Sequence, residues 1–412
     1  MARSNTHRRV CRGQLLRPAA KPLQLPAVSA STPSSNRLLF VDNLRWIMIV
    51  LVILVHAAVT FSHIGSWYYY GHGEPGPVSW LFFLFLETHL QAFFMGLLFL
   101  IAGYFAPGSC DRKGVGRFLG DRAVRLGLPT LLYVAVIQPA IVYYLLSPER
   151  GESIPSLTSI FHLYFASFDF LHGTGPMWFA LALLVFTVIY ALVRLAANPP
   201  AGSQTDAAPP GHIAVAALIA IIAAGAFLVR LVMPIGTSVL NMQLCFFTQY
   251  IVLFIVGICA YRRNWLVRLP RALGVRWLQL ALVIGPVLWI GIVVVPNLGH
   301  RDITTYVGGW HWQSFAYTFW ESFFCVGFSL GLLVVFRDRW NRQGPFARFM
   351  SNNAFAVYVF HPPILIAITL YLSRLALTPV ENFLLAAAFA VPICFLAGEF
   401  VFRRVPGLKQ IL

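Results

Sequence analysis

Long blocks of apolar residues, broken by short polar or basic segments, run through most of the chain. Ten of these blocks reach the roughly 20 residues that an α-helix needs to cross a bilayer. They lie at about residues 44–63, 79–104, 126–146, 177–198, 212–233, 242–261, 275–297, 313–336, 354–373 and 382–402. The pattern predicts an all-α integral membrane protein, a polytopic bundle of about ten transmembrane helices, numbered 1 to 10 below.

The composition agrees with a membrane protein and excludes an ordinary soluble domain. Of 412 residues, 58% are hydrophobic and 11% are charged, whereas charged residues make up roughly 25% of soluble domains. The six cysteines are scattered and form no CxxC pair. Neither a disulfide framework nor a bound metal is therefore expected.

Positive charge is concentrated at alternate boundaries of the predicted helices. Lys and Arg total 30 against 14 Asp and Glu, which gives a formal charge of +16. The basic clusters lie in the N-terminal tail, after helices 2, 6 and 8, and at the C terminus, whereas the opposite loops offer little beyond Arg150, Arg301 and Arg374. By the positive-inside rule both termini are expected to be cytoplasmic. The basic pI then reflects topology, and no nucleic-acid partner is expected.

The domain organisation follows from the segments that are not apolar. Residues 1–36 lack Asp and Glu and have no apolar core, which indicates a disordered basic cytoplasmic tail, with a transit peptide as the weaker alternative. Anionic membrane lipid is an expected partner of this tail. Residues 37–405 form the transmembrane domain, with a flexible Pro-rich and Gly-containing linker at 199–211. Residues 406–412 form a cytoplasmic C-terminal tail.

Helix 1 carries the residues of greatest chemical interest. Arg45 ends the sequence Asp42-Asn-Leu-Arg45, and ten apolar residues separate it from His56. Eleven residues make about three helical turns, so the two side chains share a face about 16.5 Å apart, one at the membrane edge and one near its middle. An ionisable side chain in hydrocarbon is costly and is usually functional. The alternative is a structural histidine hydrogen-bonded between helices.

Two further arginines lie between helices 2 and 3. Arg122 and Arg125 are one helical turn apart and can direct two guanidinium groups at one ligand, an arrangement that suits phosphate. The alternative is ordinary charge that orients the protein in the membrane. Pro129, four residues beyond Arg125, favours a specific local structure.

Other polar side chains inside the predicted helices indicate an internal cavity. Glu87 in helix 2 and Glu321 in helix 8 could orient a histidine, or could be neutral structural acids. His361 lies about halfway through helix 9 and precedes Pro362 and Pro363, and broken helices are tolerated where they line protein or water. A secondary transporter or flippase would use the same features, although no corresponding pair of interrupted helices is visible in two halves of the chain.

The predicted outward loops are rich in aromatic residues. The first holds Trp67, Tyr68, Tyr69 and Tyr70. Aromatic surfaces with polar tips suit a sugar, and the ordinary aromatic belt at a membrane interface explains them equally well.

Together these motifs resemble those of the integral-membrane acyltransferase family 3, and most of all the branch that includes glucan succinyltransferases of bacterial envelopes. The resemblance spans about residues 37 to 373. It rests on Asp42-Asn-Leu-Arg45 with His56, Ile-Ala-Gly-Tyr-Phe at 101–105, Arg122-x-x-Arg125 with Pro129, Gly175-Pro176-x-Trp178-Phe179, and Phe360-His361-Pro362. Many relatives have Ser in place of Ala102, and some carry a fused extracytoplasmic domain that is not expected here.

The resemblance implies an O-acyltransferase of the inner membrane that uses acyl-CoA, with acetyl-CoA and succinyl-CoA both open as donor. The acceptor would be a hydroxyl of an extracytoplasmic carbohydrate or glycosylated molecule. Arg122 and Arg125 would hold the CoA phosphates, Arg45 would position the donor, and His56 would be the general base. Glu321 and His361 are further candidates for the catalytic site. The alternative function is a secondary transporter or flippase.

Overall fold

Ten helices in the described part of the chain are long and apolar enough to cross a membrane. The computed structural model describes residues 37–197, 202, 204–297 and 303–411. The ten helices are α1 (Leu39–Ser62), α2 (Pro77–Lys113), α3 (Val115–Arg150), α4 (Gly175–Ala197), α5 (His212–Arg230), α6 (Leu244–Arg262), α7 (Arg271–Asn297), α8 (Trp312–Arg339), α9 (Pro345–Leu372) and α10 (Pro379–Arg404). The predicted all-α polytopic membrane bundle is confirmed, and these described residues form no β-sheet.

The boundaries of α2 and α3 differ most from the prediction. The apolar block predicts the end of helix 2 near residue 104 and the start of helix 3 near residue 126, whereas the backbone stays helical on both sides of Gly114. Hydropathy falls after residue 104, but a fall in hydropathy does not end a helix: α2 continues through Pro107 and Gly108 to Lys113. The Lys and Arg residues on both sides of Gly114 are good helix formers. Gly114 ends α2 because its φ of 73° is a conformation that favours glycine.

The third helix is widened by three π-helical segments. They are Ala123–Gly127, Tyr133–Ile137 and Ala140–Leu146. Pro129 and Pro139 lie between these segments, and a proline inside a helix removes one backbone donor and crowds the preceding turn. A local π-turn relieves that crowding, and such turns occur frequently at functional sites.

Helices α2 and α6 approach most closely where two glycines face the partner backbone. A Cβ atom added to Gly103 would overlap the carbonyl oxygen of Phe254, and one added to Gly257 would overlap the carbonyl oxygen of Leu100. Small residues permit this approach of membrane helices. The Ile-Ala-Gly-Tyr-Phe sequence of α2 therefore contributes a packing surface.

Polar contacts join the helix ends that carry the basic clusters. Asp111 at the end of α2 accepts hydrogen bonds from Arg194 of α4 at 2.9 Å and from Arg262 of α6 at 2.6 and 3.1 Å. At the start of α1, the Asn43 amide donates to the carbonyl oxygen of Trp340, after α8, at 2.8 Å. These ends therefore lie together, and we call this part of the bundle the arginine-rich end.

The described part of the predicted linker is held against the segment after α6. The backbone N–H of Thr205 donates to the Arg262 carbonyl at 2.8 Å, and the Trp265 indole donates to the Ala208 carbonyl at 2.9 Å. Residues 198–201 and 203 of this region, and the predicted tail at 1–36, lie outside the described residues. The C-terminal segment contains the short helix Leu408–Ile411.

Candidate active site

His56 lies in the last two turns of α1. The helix runs from Leu39 to Ser62, so His56 is about 9 Å from its end and about 25 Å from its start. His56 is therefore nearer to the end of α1 that is opposite the arginine-rich one, and its depth in the bilayer stays a prediction. Arg45 remains on the same face, as the helical period requires.

The structure brings His56 and His361 together from helices that are remote in sequence. His56 Nδ1 lies 3.0 Å from His361 Nε2, and the two rings are within 8° of parallel with centroids 5.2 Å apart. His361 is fully buried in α9, which packs against α1. Two candidates that the sequence offered separately thus form one hydrogen-bonded pair.

The backbone of α9 determines which nitrogen of His361 carries the proton. Its Nδ1 atom lies 2.9 Å from the Tyr358 carbonyl and 3.2 Å from the Val357 carbonyl. In a regular helix the Tyr358 carbonyl would accept from residue 362, but Pro362 has no N–H. The side chain of His361 takes that place. Because a carbonyl only accepts hydrogen bonds, Nδ1 of His361 must be the protonated nitrogen.

That assignment fixes the tautomer of His56. A neutral His361 protonated on Nδ1 has a lone pair on Nε2, so Nδ1–H of His56 donates to it. A neutral His56 protonated on Nδ1 then has an unprotonated Nε2. That nitrogen is the one able to accept a proton from a substrate.

Trp67 covers one face of the His56 ring. The two rings are stacked 4.1 Å apart at 15°. Trp67 belongs to the segment between α1 and α2, which folds back onto α1: the N–H of Gly71 donates to the Thr60 carbonyl at 2.7 Å, and His63 Nε2 donates to the Gly71 carbonyl at 3.0 Å. The aromatic loop that the sequence suggested for sugar binding therefore contributes a wall of the histidine site.

Tyr68 anchors the same loop to α3. Its hydroxyl donates to Gln138 and lies 2.6 Å from the hydroxyl of Tyr133. Gly175, at the start of α4, leaves space for these hydroxyls, because a Cβ there would lie 2.6 Å from the Tyr68 oxygen. Burial raises the pKa of Tyr68 above its usual value, so this phenol is neutral at physiological pH and acts as a hydrogen-bonding anchor.

The residues around Pro176 connect this loop to the histidine helix. The hydroxyl of Tyr358 in α9 donates to the Pro176 carbonyl at 2.5 Å. Phe179 packs edge-on against Tyr358 with centroids 6.1 Å apart, and Trp178 stacks on Tyr250 at 5.8 Å. The Gly-Pro-x-Trp-Phe sequence thus supports the turn of α9 that precedes His361.

Three predicted arginines form one positively charged group near the arginine-rich end. The charges of Arg45 and Arg125 both act on Arg122. Arg45 also contacts Asp42 at 3.4 Å and lies over the ring of Phe105 at 4.7 Å. Guanidinium groups that act on one another in this way repel, and an anionic ligand would relieve that repulsion.

Glu321 is paired with a residue that the sequence analysis missed. Arg230, the last residue of α5, donates to Glu321 at 2.5 Å and to Thr318 at 2.9 Å. Both members of the ion pair are buried. An arginine within an apolar block was the available signal, since charged residues inside membranes pair with each other. The second acidic candidate, Glu87, is buried in α2, and its Oε1 has no hydrogen-bond partner among the described residues.

Among residues 37–197, 204–297 and 303–411, no group of three or more His, Cys, Asp or Glu side chains could hold a metal ion. At His56 itself, the contacting rings are those of His361 and Trp67.

Comparisons with known proteins identify relatives of the chain. A family model described as an acyltransferase domain matches residues 38–399. The chain is similar to the glucans biosynthesis protein C of Salmonella paratyphi B and of Salmonella heidelberg, 26% identical over 160 residues in each case. The alignment covers 39% of this chain and 39% of each relative, so the chain spans about two fifths of the length of these curated relatives. No solved structure matches the chain.

Proposed function

Because this chain belongs to the acyltransferase family whose domain model matches residues 38–399, we propose that it is an inner-membrane O-acyltransferase that uses acyl-CoA. It transfers the acyl group to a hydroxyl of an extracytoplasmic carbohydrate or glycosylated acceptor. The observation that carries this proposal is the His56–His361 pair, because the contacts of His361 leave Nε2 of His56 unprotonated. A proton acceptor of this kind is what hydroxyl attack on a thioester requires.

His56 acts as the general base in the proposed reaction. Its Nε2 takes the proton of the acceptor hydroxyl while the hydroxyl oxygen attacks the carbonyl carbon of the thioester. The C–S bond then breaks, and the proton on His56 passes to the departing thiolate. The products are an ester and free CoA, and His56 returns to its neutral form.

His361 is a positioning residue for this step. Its Nε2 accepts from His56 Nδ1 at 3.0 Å and stabilises the imidazolium that forms when His56 takes a proton. Its own Nδ1–H is held by the Tyr358 carbonyl at 2.9 Å. A histidine oriented by a second group is the usual arrangement of a catalytic base.

The arginine group holds the donor. Arg122 and Arg125 bind the phosphates of CoA through charge-assisted hydrogen bonds, and Arg45 positions the donor beside them. By the positive-inside rule the arginine-rich end faces the cytoplasm, where acyl-CoA is found. The thioester then has to reach His56, about 16.5 Å further along α1. The flexible arm of CoA lies along the face of α1 that Arg45 and His56 share.

The acceptor approaches from the opposite end of α1. His56 lies about 9 Å from that end, beneath the loop that contains Trp67. The relatives named for glucan biosynthesis support a carbohydrate acceptor, and the aromatic residues of this loop provide surfaces on which a sugar ring can pack.

The test is turnover by the purified protein in nanodiscs, with radiolabelled acetyl-CoA and succinyl-CoA offered separately. We expect saturable binding and slow hydrolysis of one donor, and loss of hydrolysis in the His56→Ala protein with binding retained. His212→Ala is the matched control, because His212 is an exposed histidine at the start of another helix, α5. Equal turnover by the His56→Ala protein, or no binding of either donor, would overturn the proposal.

A further inference from the structure

The indole nitrogen of Trp67 is a buried hydrogen-bond donor beside the proposed base. Its Nε1 atom has no hydrogen-bond partner among the described residues. The ring is stacked on His56 at 4.1 Å. A buried donor without an acceptor loses the hydrogen bonds that water would give it, so such groups are uncommon unless a ligand supplies the acceptor.

Contact with His56 distinguishes Trp67 from the other tryptophans whose buried indole nitrogens have no partner. Trp277 and Trp289 also have buried indole nitrogens without a partner in the described part of the chain. Trp277 packs against Phe323 and Trp289 against Phe85. An unpaired indole alone therefore indicates no site. Among these three, the ring of Trp67 is the one that contacts the proposed base.

We propose that the Trp67 indole N–H donates a hydrogen bond to the carbonyl oxygen of the donor thioester. This inference rests on the proposed function. The acceptor oxygen forms a bond to the carbonyl carbon as His56 takes its proton, and the carbonyl electron pair moves onto oxygen. Trp67 stabilises that negative oxygen. When the C–S bond breaks, the electron pair returns to re-form C=O and the thiolate takes the proton from His56.

The position of Trp67 suits this role because its loop is fixed at two points. The N–H of Gly71 donates to the Thr60 carbonyl at 2.7 Å, and the Tyr68 hydroxyl donates to Gln138 in α3. Trp67 also packs edge-on against Tyr68 at 4.9 Å. A hydrogen-bond donor that is already in place when negative charge develops does not have to reorganise. Its stabilisation of that charge is larger where water is excluded.

The primary test replaces Trp67 with phenylalanine, which retains a stacking ring and removes the N–H. In hydrolysis of the donor used by the wild-type protein, we expect Trp67→Phe to lower kcat about 10²–10³-fold, while KM for the donor rises by no more than about 10-fold. Trp277→Phe is the control, since it removes an unpaired indole N–H away from His56. A normal kcat for Trp67→Phe would overturn the inference.

A binding measurement separates the hydrogen bond from a loss of packing. Two non-reactive analogues of the donor are compared, a ketone with a methylene between sulfur and carbonyl, and the alkyl thioether without the carbonyl. For acetyl-CoA these are S-acetonyl-CoA and S-propyl-CoA. We expect Trp67→Phe to weaken binding of the ketone about 2- to 10-fold more than binding of the thioether. Equal weakening of both analogues would contradict the hydrogen bond and leave Trp67 a packing residue.

The two proposals fail in different ways. If the wild-type protein turns over its donor, and does so only with His56 intact, a normal Trp67→Phe protein removes the Trp67 assignment alone. If wild-type and His56→Ala proteins turn over the donor equally, the proposed function is lost and the Trp67 assignment with it.

Discussion

Nδ1 of His56 lies 3.0 Å from Nε2 of His361, although 305 residues separate the two histidines. The contact matters because His361 can accept only through Nε2 once its Nδ1–H is held by the Tyr358 carbonyl. Pro362 has no N–H, so the Tyr358 carbonyl accepts from Nδ1–H of His361 instead. Nε2 of His361 then accepts from Nδ1–H of His56, and Nε2 of His56 is left unprotonated.

Removing His361 should slow the chemical step. We expect His361→Ala to lower kcat about 10²–10⁴-fold with donor KM unchanged, because His56 loses the acceptor that fixes its tautomer and stabilises its protonated form. His361→Gln, whose side-chain oxygen can accept from His56, should retain more activity than His361→Ala. Steady-state donor hydrolysis measures both. Equal activity of the alanine variant and the wild type would show that His361 does not act on His56.

The two prolines after His361 should have different effects. Pro362→Ala restores a backbone N–H that competes with His361 for the Tyr358 carbonyl, so we expect kcat to fall, by less than in His361→Ala. Pro363→Ala restores an N–H for the carbonyl of Val359, which His361 does not contact, and should leave kcat unchanged. Comparison of the two kcat values is the measurement. Equal effects of both substitutions would argue for a general change in α9.

Loss of the paired arginines should weaken donor binding. We expect Arg122→Ala and Arg125→Ala each to raise the donor Kd about 10-fold or more, because each removes a charge-assisted hydrogen bond to phosphate. Arg112→Ala, at an exposed basic residue of the same end, is the control and should bind normally. Isothermal titration with the non-reactive CoA thioether reports the Kd. Unchanged affinity in both variants would place the CoA phosphates elsewhere.

The glycine contact between α2 and α6 should be essential for stability. Gly103→Ala introduces a methyl group against the Phe254 carbonyl, and overpacking of this kind costs about 1–3 kcal/mol. Gly116→Ala is the matched control because nothing lies within 4 Å of its added Cβ. Thermal unfolding in detergent should show a lower Tm for Gly103→Ala alone. Similar Tm values for the two variants would mean that α2 and α6 can move apart with little loss of stability.

The Arg230–Glu321 pair should be structural. Breaking it with Arg230→Met leaves a buried carboxylate and should destabilise the protein by about 3–5 kcal/mol, whereas Arg230→Met with Glu321→Leu should recover most of that loss. We expect the double variant to retain donor turnover. A stable double variant without turnover would instead give Glu321 the catalytic role that its position in the sequence suggested.

The sequence by itself determined the class of fold and the helical face that carries Arg45 and His56. Ten apolar blocks are long enough that each must form a helix in a membrane, because the backbone polar groups have no other partners there. Arg45 and His56 lie eleven residues apart on one helix, and the helical period alone places them on one face. Both inferences depend on interactions within a single segment, which a linear pattern records.

Tertiary structure decided everything that depends on contacts between segments. Packing of α1 against α9 paired His56 with His361, and packing of α5 against α8 paired Glu321 with Arg230. The fold of the loop that follows α1 placed Trp67 on His56. Apolar side chains of many kinds satisfy the same hydropathy pattern, so the pattern does not specify which helices meet. Their neighbours are set by the shapes of the packed surfaces and by the few polar groups that must find partners between them.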